Sequence, residues 1–143
     1  MSDQNYANHG RLVFAFHRVG FALLLTALVL SGRYVWRSFG TPDLELSLLL
    51  LTMVISLFLI AFFARSFAIK AQDRIIRTEE NFRHYRRHGT LLPENLTLRQ
   101  IIGLRFAPDD EFDELAAEAG KNGTSEDDIK KSIKNWRADE ERV

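Results

Sequence analysis

Residues 46–64 read LSLLLLTMVISLFLIAFFA, nineteen consecutive residues without a charge. At 1.5 Å per residue such a helix is about 28 Å long, close to the hydrocarbon thickness of a bilayer. A helix on the surface of a soluble domain would gather its polar residues on one side, whereas this one is apolar all round. Ser47, Thr52 and Ser56 do not interrupt it, because a hydroxyl can bond the carbonyl one turn back. The segment is expected to span a membrane.

A first span is less regular. Residues 19–32 (VGFALLLTALVLSG) carry no charge but number only fourteen, between Arg18 and Arg33. The apolar run at 12–16 before them, and Tyr34, Val35 and Trp36 after them, extend the segment. Long arginine stems can snorkel to the interface, and Tyr34 and Trp36 suit an aromatic belt. A span over about residues 13–36 is expected. A cleavable secretory signal is disfavoured, because Asp3 precedes the apolar core and no small-residue cleavage site follows it.

Gly40 and Pro42 separate the two segments, with Thr41 or Asp43 available to cap the second helix. A tight antiparallel hairpin follows. Small residues one turn apart offer close helix contact: Ala27 with Ser31, Thr52 with Ser56, Ala64 with Ala68. Near the spans, Arg11, Arg18, Arg65, Lys70, Arg74, Arg77 and Arg83 lie on the side of the termini, against Arg33 and Arg37 at the connection. The positive-inside tendency puts both termini in the cytoplasm.

The helix of the second span is expected to continue through residues 65–88, which contain neither Gly nor Pro. Ala68, Ile75 and Phe82 repeat every seven residues there, as do Ala71, Thr78 and Tyr85. This heptad stripe either docks on a partner helix or, as preferred here, packs on the chain's own tail. After Gly89 and Pro93 three short helices are expected. One runs from near Thr97 to about Phe106. One follows Pro108 with Asp109 as its cap and ends at Gly120 or Gly123. One starts at Ser125, with Asp128 completing a capping box, and carries Ile129, Ile133 and Trp136 on one face. Lys130, Lys131, Lys134 and Arg137 then favour its C-terminal half. Such helices are too short to be stable unless packed together. The fold class is all-α, a two-helix transmembrane hairpin (1–88) with a long juxtamembrane helix, then a small cytoplasmic helical tail (89–143).

Charge is balanced overall but not locally. Residues 1–105 hold 13 Lys/Arg against 7 Asp/Glu, and residues 109–143 hold 6 against 12. The basic part is expected to meet the acidic tail or anionic lipid. Arg74 and Arg77 are the expected contacts to the tail. Asp73 is spaced to pair with Lys70 or Arg77, and residues 4–9 are expected across the base of the same helix. Lipid or partner contact is assigned to Arg65, Lys70, Arg74, Arg77, Arg83, Arg86, Arg87, Tyr34 and Trp36. Basic residues beside a span have anionic headgroups as their nearest partner, so no nucleic acid is expected.

Chemistry is sparse. With no cysteine there is no disulfide, thiolate nucleophile or iron–sulfur cluster. No phosphate loop, nucleophile elbow or paired-histidine metalloprotease motif occurs. Glu80, His84 and His88 share one helix face at ligand spacing, but Arg83, Arg86 and Arg87 crowd them, so a basic surface is preferred to a metal site. His17 at the first span's edge offers a haem ligand only if a second copy supplies another. Catalytic residues and cofactors are therefore expected to be none.

Four polar blocks stand out: residues 4–9 (QNYANH), 70–77 (KAQDRIIR), 100–107 (QIIGLRFA) and 129–137 (IKKSIKNWR). In this order around two apolar spans, the chain resembles a family of small bacterial membrane proteins classed as a domain of unknown function, over nearly its whole length. The resemblance implies a two-span protein of the bacterial inner membrane and no site residue. The sequence thus favours a non-enzymatic accessory or scaffold subunit, working with other membrane subunits or as a homo-oligomer. A homo-oligomeric channel, with Thr26, Thr52 and Ser56 along its path, and a histidine-ligated metal or haem protein are the alternatives.

Overall fold

A computed structural model describes residues 4–6, 8 and 13–138. Among the described residues the fold is all-α, with five α-helices and a π-helical turn at Ala15–Gly20. The chain forms two compact units, Leu12–Phe67 and Met1–Arg11 with Ala68–Val143. Residues 68–88 thus group with the tail.

The first unit holds α1 (Phe21–Ser38) and the start of α2 (Leu44–His88). Both helices are long and apolar enough to cross a membrane, and only 6 % of each apolar window is buried within the chain. The core helix of a soluble protein would be mostly buried. The π-helical turn was not foreseen; it contains Arg18, whose guanidinium lies 5.8 Å from the Phe14 ring centroid. At the connection the Thr41 hydroxyl donates to the Ser38 carbonyl and accepts the Asp43 N–H, so one side chain closes α1 and shapes the turn. The rings of Phe21 and Phe58 meet edge to face at 6.4 Å. Ser31 and Ser47 are buried and Ala27 is half-buried, as small contact residues should be. Thr52 and Ser56 instead face outward, and the hydroxyls of Thr26, Thr52 and Ser56 each donate to a carbonyl one turn back.

The helix α2 runs without interruption to His88. Gly89 stops it at φ 71°, donating its N–H to the Tyr85 carbonyl in the left-handed turn that lacks a Cβ penalty only for glycine.

Beyond it lie α3 (Leu98–Leu104), α4 (Asp109–Asn122) and α5 (Glu126–Ser132). A reciprocal capping box between Thr97 and Gln100 starts α3. The Ser125 hydroxyl accepts the Asp128 N–H at the start of α5. The three helices enclose Leu104, Phe106, Phe112 and Ile129, all essentially without solvent contact, with Leu92, Leu96, Ile101, Ala116, Ala119 and Ile133 around them. Gln100 is the polar centre of this packing. Its side-chain amide donates to the carbonyls of Ala119 (2.8 Å) and Thr124 (3.0 Å), tying α3 to the end of α4 and the loop after it. Gly103 lets α5 approach α3, since a Cβ there would sit 3.1 Å from the Glu126 carbonyl oxygen and 3.4 Å from Ile129.

Three local expectations are corrected. α3 ends at Leu104, two residues before Phe106. Pro108 stands at the start of α4, and no side-chain cap forms there; the Asp109 carboxylate turns to Arg83 instead. α5 ends at Ser132, and Ile133 is extended (φ −69°, ψ 122°). Ile129, Ile133 and Trp136 still enter one core, because the strand-like segment carries Trp136 onto Phe106, with ring centroids 4.8 Å apart. Lys134 and Arg137 therefore lie beyond the helix whose end they were expected to stabilise.

Candidate functional site

Two unlike faces mark the last turns of α2. One is covered by the tail. There Ile76 and Glu80 are buried, and Arg83 and His84 are half-buried. Arg83 donates from Nη1 to Glu80 (3.0 Å), from Nε to Asp109 (2.7 Å) and from Nη2 to the Ala107 carbonyl (2.9 Å). Its guanidinium also lies 4.7 Å from the Phe112 ring centroid. One turn on, Arg87 donates through Nη2 to the Asp113 carboxylate and the Asp109 carbonyl, each at 2.7 Å. The Asn81 side chain accepts the Leu92 N–H (3.1 Å), and Arg137 reaches Glu80 at 3.4 Å. The acidic first turn of α4 thus meets two arginines of α2, and those carboxylates are also favoured by the helix dipole.

The expected charge contact therefore exists, but not where it was placed. Arg74 and Arg77 are exposed and form no ion pair among the described residues, while Arg83 and Arg87 hold the tail. Asp73 forms no ion pair with Lys70 or Arg77. Tyr6 lies over the Lys131 ammonium of α5 (5.5 Å), whereas Ala7 and His9 lie outside the described residues.

Burial raises the pKa of Glu80, against the hydrogen bond and charge of Arg83 and the charge of Arg137. The hydrogen bond from Arg83 lowers that of Asp109, and the backbone N–H groups of Lys134 and Asn135 lower that of Glu111. A raised carboxyl contributes stability that is full below its unfolded pKa and lost as pH rises through its folded value. Lowered carboxyls contribute stability that is full above their unfolded values and lost as pH falls. The urea midpoint of the tail is therefore expected to rise as Asp109 and Glu111 ionise and to fall again at higher pH as Glu80 loses its proton. Glu80→Gln should flatten the decline on the alkaline side and leave the acid side in place. An unchanged profile would contradict the role given to Glu80.

The other face of α2 is bare. Ile75, Phe82 and Tyr85 are 57 %, 62 % and 53 % exposed, and Ala71 and Thr78 are exposed with them. The heptad stripe does not pack on the tail, which corrects the preferred expectation. The tail takes the side of Ile76, Glu80 and Arg83, more than a third of a helical turn away.

Of the other residues singled out, Lys70 and Arg86 are exposed, Arg65 and Tyr34 are half-buried, and Trp36 is exposed. The histidine group is altered. Glu80 is engaged by Arg83 and Arg137, so it does not join the imidazoles. Asp113 of α4 does, giving His84, His88 and Asp113 with ligand atoms within 4.8 Å of one another. Spacing along α2 revealed the histidines, but nothing in sequence marked an aspartate 25 residues away. His17 Nδ1 lies 3.1 Å from the Val13 carbonyl on its own helix.

Comparison with curated proteins found no match, and comparison with solved structures found none. One family model covers residues 1–143. The chain belongs to the family of unknown function DUF6526.

Proposed function

We propose that this chain is a non-enzymatic scaffold or accessory subunit of the bacterial inner membrane, with two spans and both termini cytoplasmic, and that it assembles first with a second copy of itself. The observation that carries this reading is the exposed heptad stripe on α2, beside the face that the tail covers. In heptad terms Ala68, Ile75 and Phe82 take the a positions, and Ala71, Thr78 and Tyr85 take d. Arg74 then falls at g and Glu79 at the following e, the pair that meets across a parallel two-stranded coil. Two copies inserted by the same spans share one orientation, so only the parallel pairing is open to them. Confinement in a bilayer raises the effective concentration, which suits a stripe of under three heptads.

The remaining basic residues divide by position. Arg65 and Lys70, next to the apolar window, meet anionic headgroups, each contributing about 1 kcal/mol. Tyr34 and Trp36 anchor the opposite interface. The charged groups of the tail-facing side are engaged in holding the tail, which supports a structural role for them. The outward hydroxyls of Thr26, Thr52 and Ser56 are satisfied on their own helices, which favours the scaffold over a channel.

The chain has no cysteine, so single introduced ones report cleanly. In membranes, Ile75→Cys should give an oxidised dimer, and Arg77→Cys, nearly half a turn away, much less. Ile75→Glu with Phe82→Glu should weaken the dimerisation constant by about tenfold, a change of roughly 1.4 kcal/mol. Arg74→Glu should weaken the pair and Glu79→Arg should restore it in that background. Equal cross-linking at positions 75 and 77, with a monomer under gentle extraction, would sink the reading.

A further inference from the structure

We propose that His84, His88 and Asp113 form a binding site for a divalent cation of the zinc type, which clips the end of α2 to α4. The site lies on the tail-facing side of α2 and does not depend on self-association.

Its ligand set is two imidazole nitrogens and one carboxylate oxygen, contributed by two helices. The histidines are one turn apart, with ring centroids 4.6 Å from each other. His88 Nε2 lies 3.1 Å from both oxygens of Asp113. On a four-coordinate zinc ion with bonds of about 2.0–2.1 Å, neighbouring ligand atoms sit about 3.4 Å apart. The observed spread, up to 4.8 Å, is closed by a small rotation of His88, which is exposed in the last turn of α2.

Two partners prepare the ligands. His84 Nδ1 lies 2.7 Å from the Thr90 carbonyl. A carbonyl only accepts, so Nδ1 carries the hydrogen and Nε2 keeps its lone pair for a metal. Metal-binding histidines are commonly fixed in this way. Gly89 produces this contact, since the left-handed turn brings Thr90 back over the helix end. Arg87 grips Asp113 through Nη2 on Oδ2 (2.7 Å) and Nη1 on Oδ1 (3.4 Å) and orients its carboxylate, in which each oxygen has a second lone pair for a metal.

The sequence argued against a cation because arginines crowd the histidines. The structure removes most of that objection. Arg83 is matched by Glu80 and Asp109, and Arg87 by Asp113. Arg86 lines an open cleft with Phe82, Asp109 and Arg137. Borderline cations favour this nitrogen and oxygen set, and three protein ligands leave a fourth position to water.

The test uses the full chain in detergent, stripped with a chelator and titrated with zinc chloride in a calorimeter. One equivalent per chain is expected. His88→Gln should weaken binding by about tenfold or more, and His84→Gln with His88→Gln should abolish it. A wild-type measurement stands beside the variants. Carbethoxylation of His84 and His88, mapped by mass spectrometry, should be blocked by zinc while that of His17 is not. Absence of wild-type binding, survival of binding in the double variant, or equal labelling with and without zinc each overturns the site.

Discussion

Arg83→Met is expected to release the tail from α2, at a cost of about 3 kcal/mol. Arg83 is only 13 % exposed in its side chain and Glu80 only 5 %, so removing the guanidinium strands a carboxylate away from water. Arg137 remains near Glu80 at 3.4 Å, but its own side chain is half in solvent and gives little compensation. The contact to Asp109 adds less, since that carboxylate is largely exposed. The variant also loses the donor to the Ala107 carbonyl and the cation over the Phe112 ring. Limited proteolysis between α2 and α4, and the urea midpoint of Trp136 emission in a Trp36→Phe background, both report the loss. A second substitution separates charge burial from packing. If the cost lies in the stranded carboxylate, Glu80→Leu in the Arg83→Met background should recover most of the stability, because a well-packed apolar pair often replaces a buried ion pair at little cost. A double variant no better than the single one would place the cost in packing alone. Arg74→Glu with Arg77→Glu, which the charge pattern alone would have chosen, should leave the tail as resistant as before.

The difference between these two arginine pairs shows how far sequence carries here. Charge counting found that a basic helix should meet an acidic tail, because the imbalance is large and divides cleanly near residue 105. It could not say which turn of the helix is used. That depends on where the loop of residues 89–97 returns α3 and α4 to α2, a matter of tertiary packing. The apolar windows were legible for the opposite reason, since their length and composition need no partner to be recognised. Helix starts were also legible where a local side chain makes them, as at Thr97 with Gln100 and Ser125 with Asp128. Helix ends were less so. Ile133 and Trp136 follow Ile129 at helical spacing, yet the Arg137 N–H bonds to the Phe106 carbonyl and draws the segment out straight. Periodicity records which side chains are buried and not always the backbone that buries them.

The same limit applies to the site. Two histidines a turn apart are visible in any helix, and a sequence reader supplies the third ligand from the same helix, as Glu80 was supplied here. Glu80 is drawn inward by Arg83 instead, and α4 brings Asp113 to the imidazoles. The stripe was legible as a pattern, but its partner was not. Any apolar heptad face is equally suited to the chain's own tail or to another helix until the tail's position is known.

Phe106→Ala is expected to be the most damaging single substitution, destabilising the tail by about 3–5 kcal/mol. Phe106 has no solvent exposure, stacks on Trp136, and has the cations of Arg105 and Lys130 over its ring at 4.6 and 5.7 Å. Truncation removes the transfer term and leaves a cavity that Leu104 and Ile129, on separate short helices, cannot both move to fill. Small domains hold only about 5–15 kcal/mol in total, so much of the tail should be unfolded or readily opened. Urea midpoint and protease sensitivity check this directly, and a loss below about 1 kcal/mol would contradict the packing described. The variant also separates the two faces of α2. Loss of α4 removes Asp113 from His84 and His88, so zinc binding at the proposed site should fall with the fold. The stripe of Ile75 and Phe82 belongs to α2 and is largely exposed, with Phe82 only edging the open cleft beside the tail. Cross-linking through Ile75→Cys should therefore survive in the Phe106→Ala background. If both functions failed together, the stripe would depend on the tail, and the division of α2 into a self-association face and a tail-clip face would have to be abandoned.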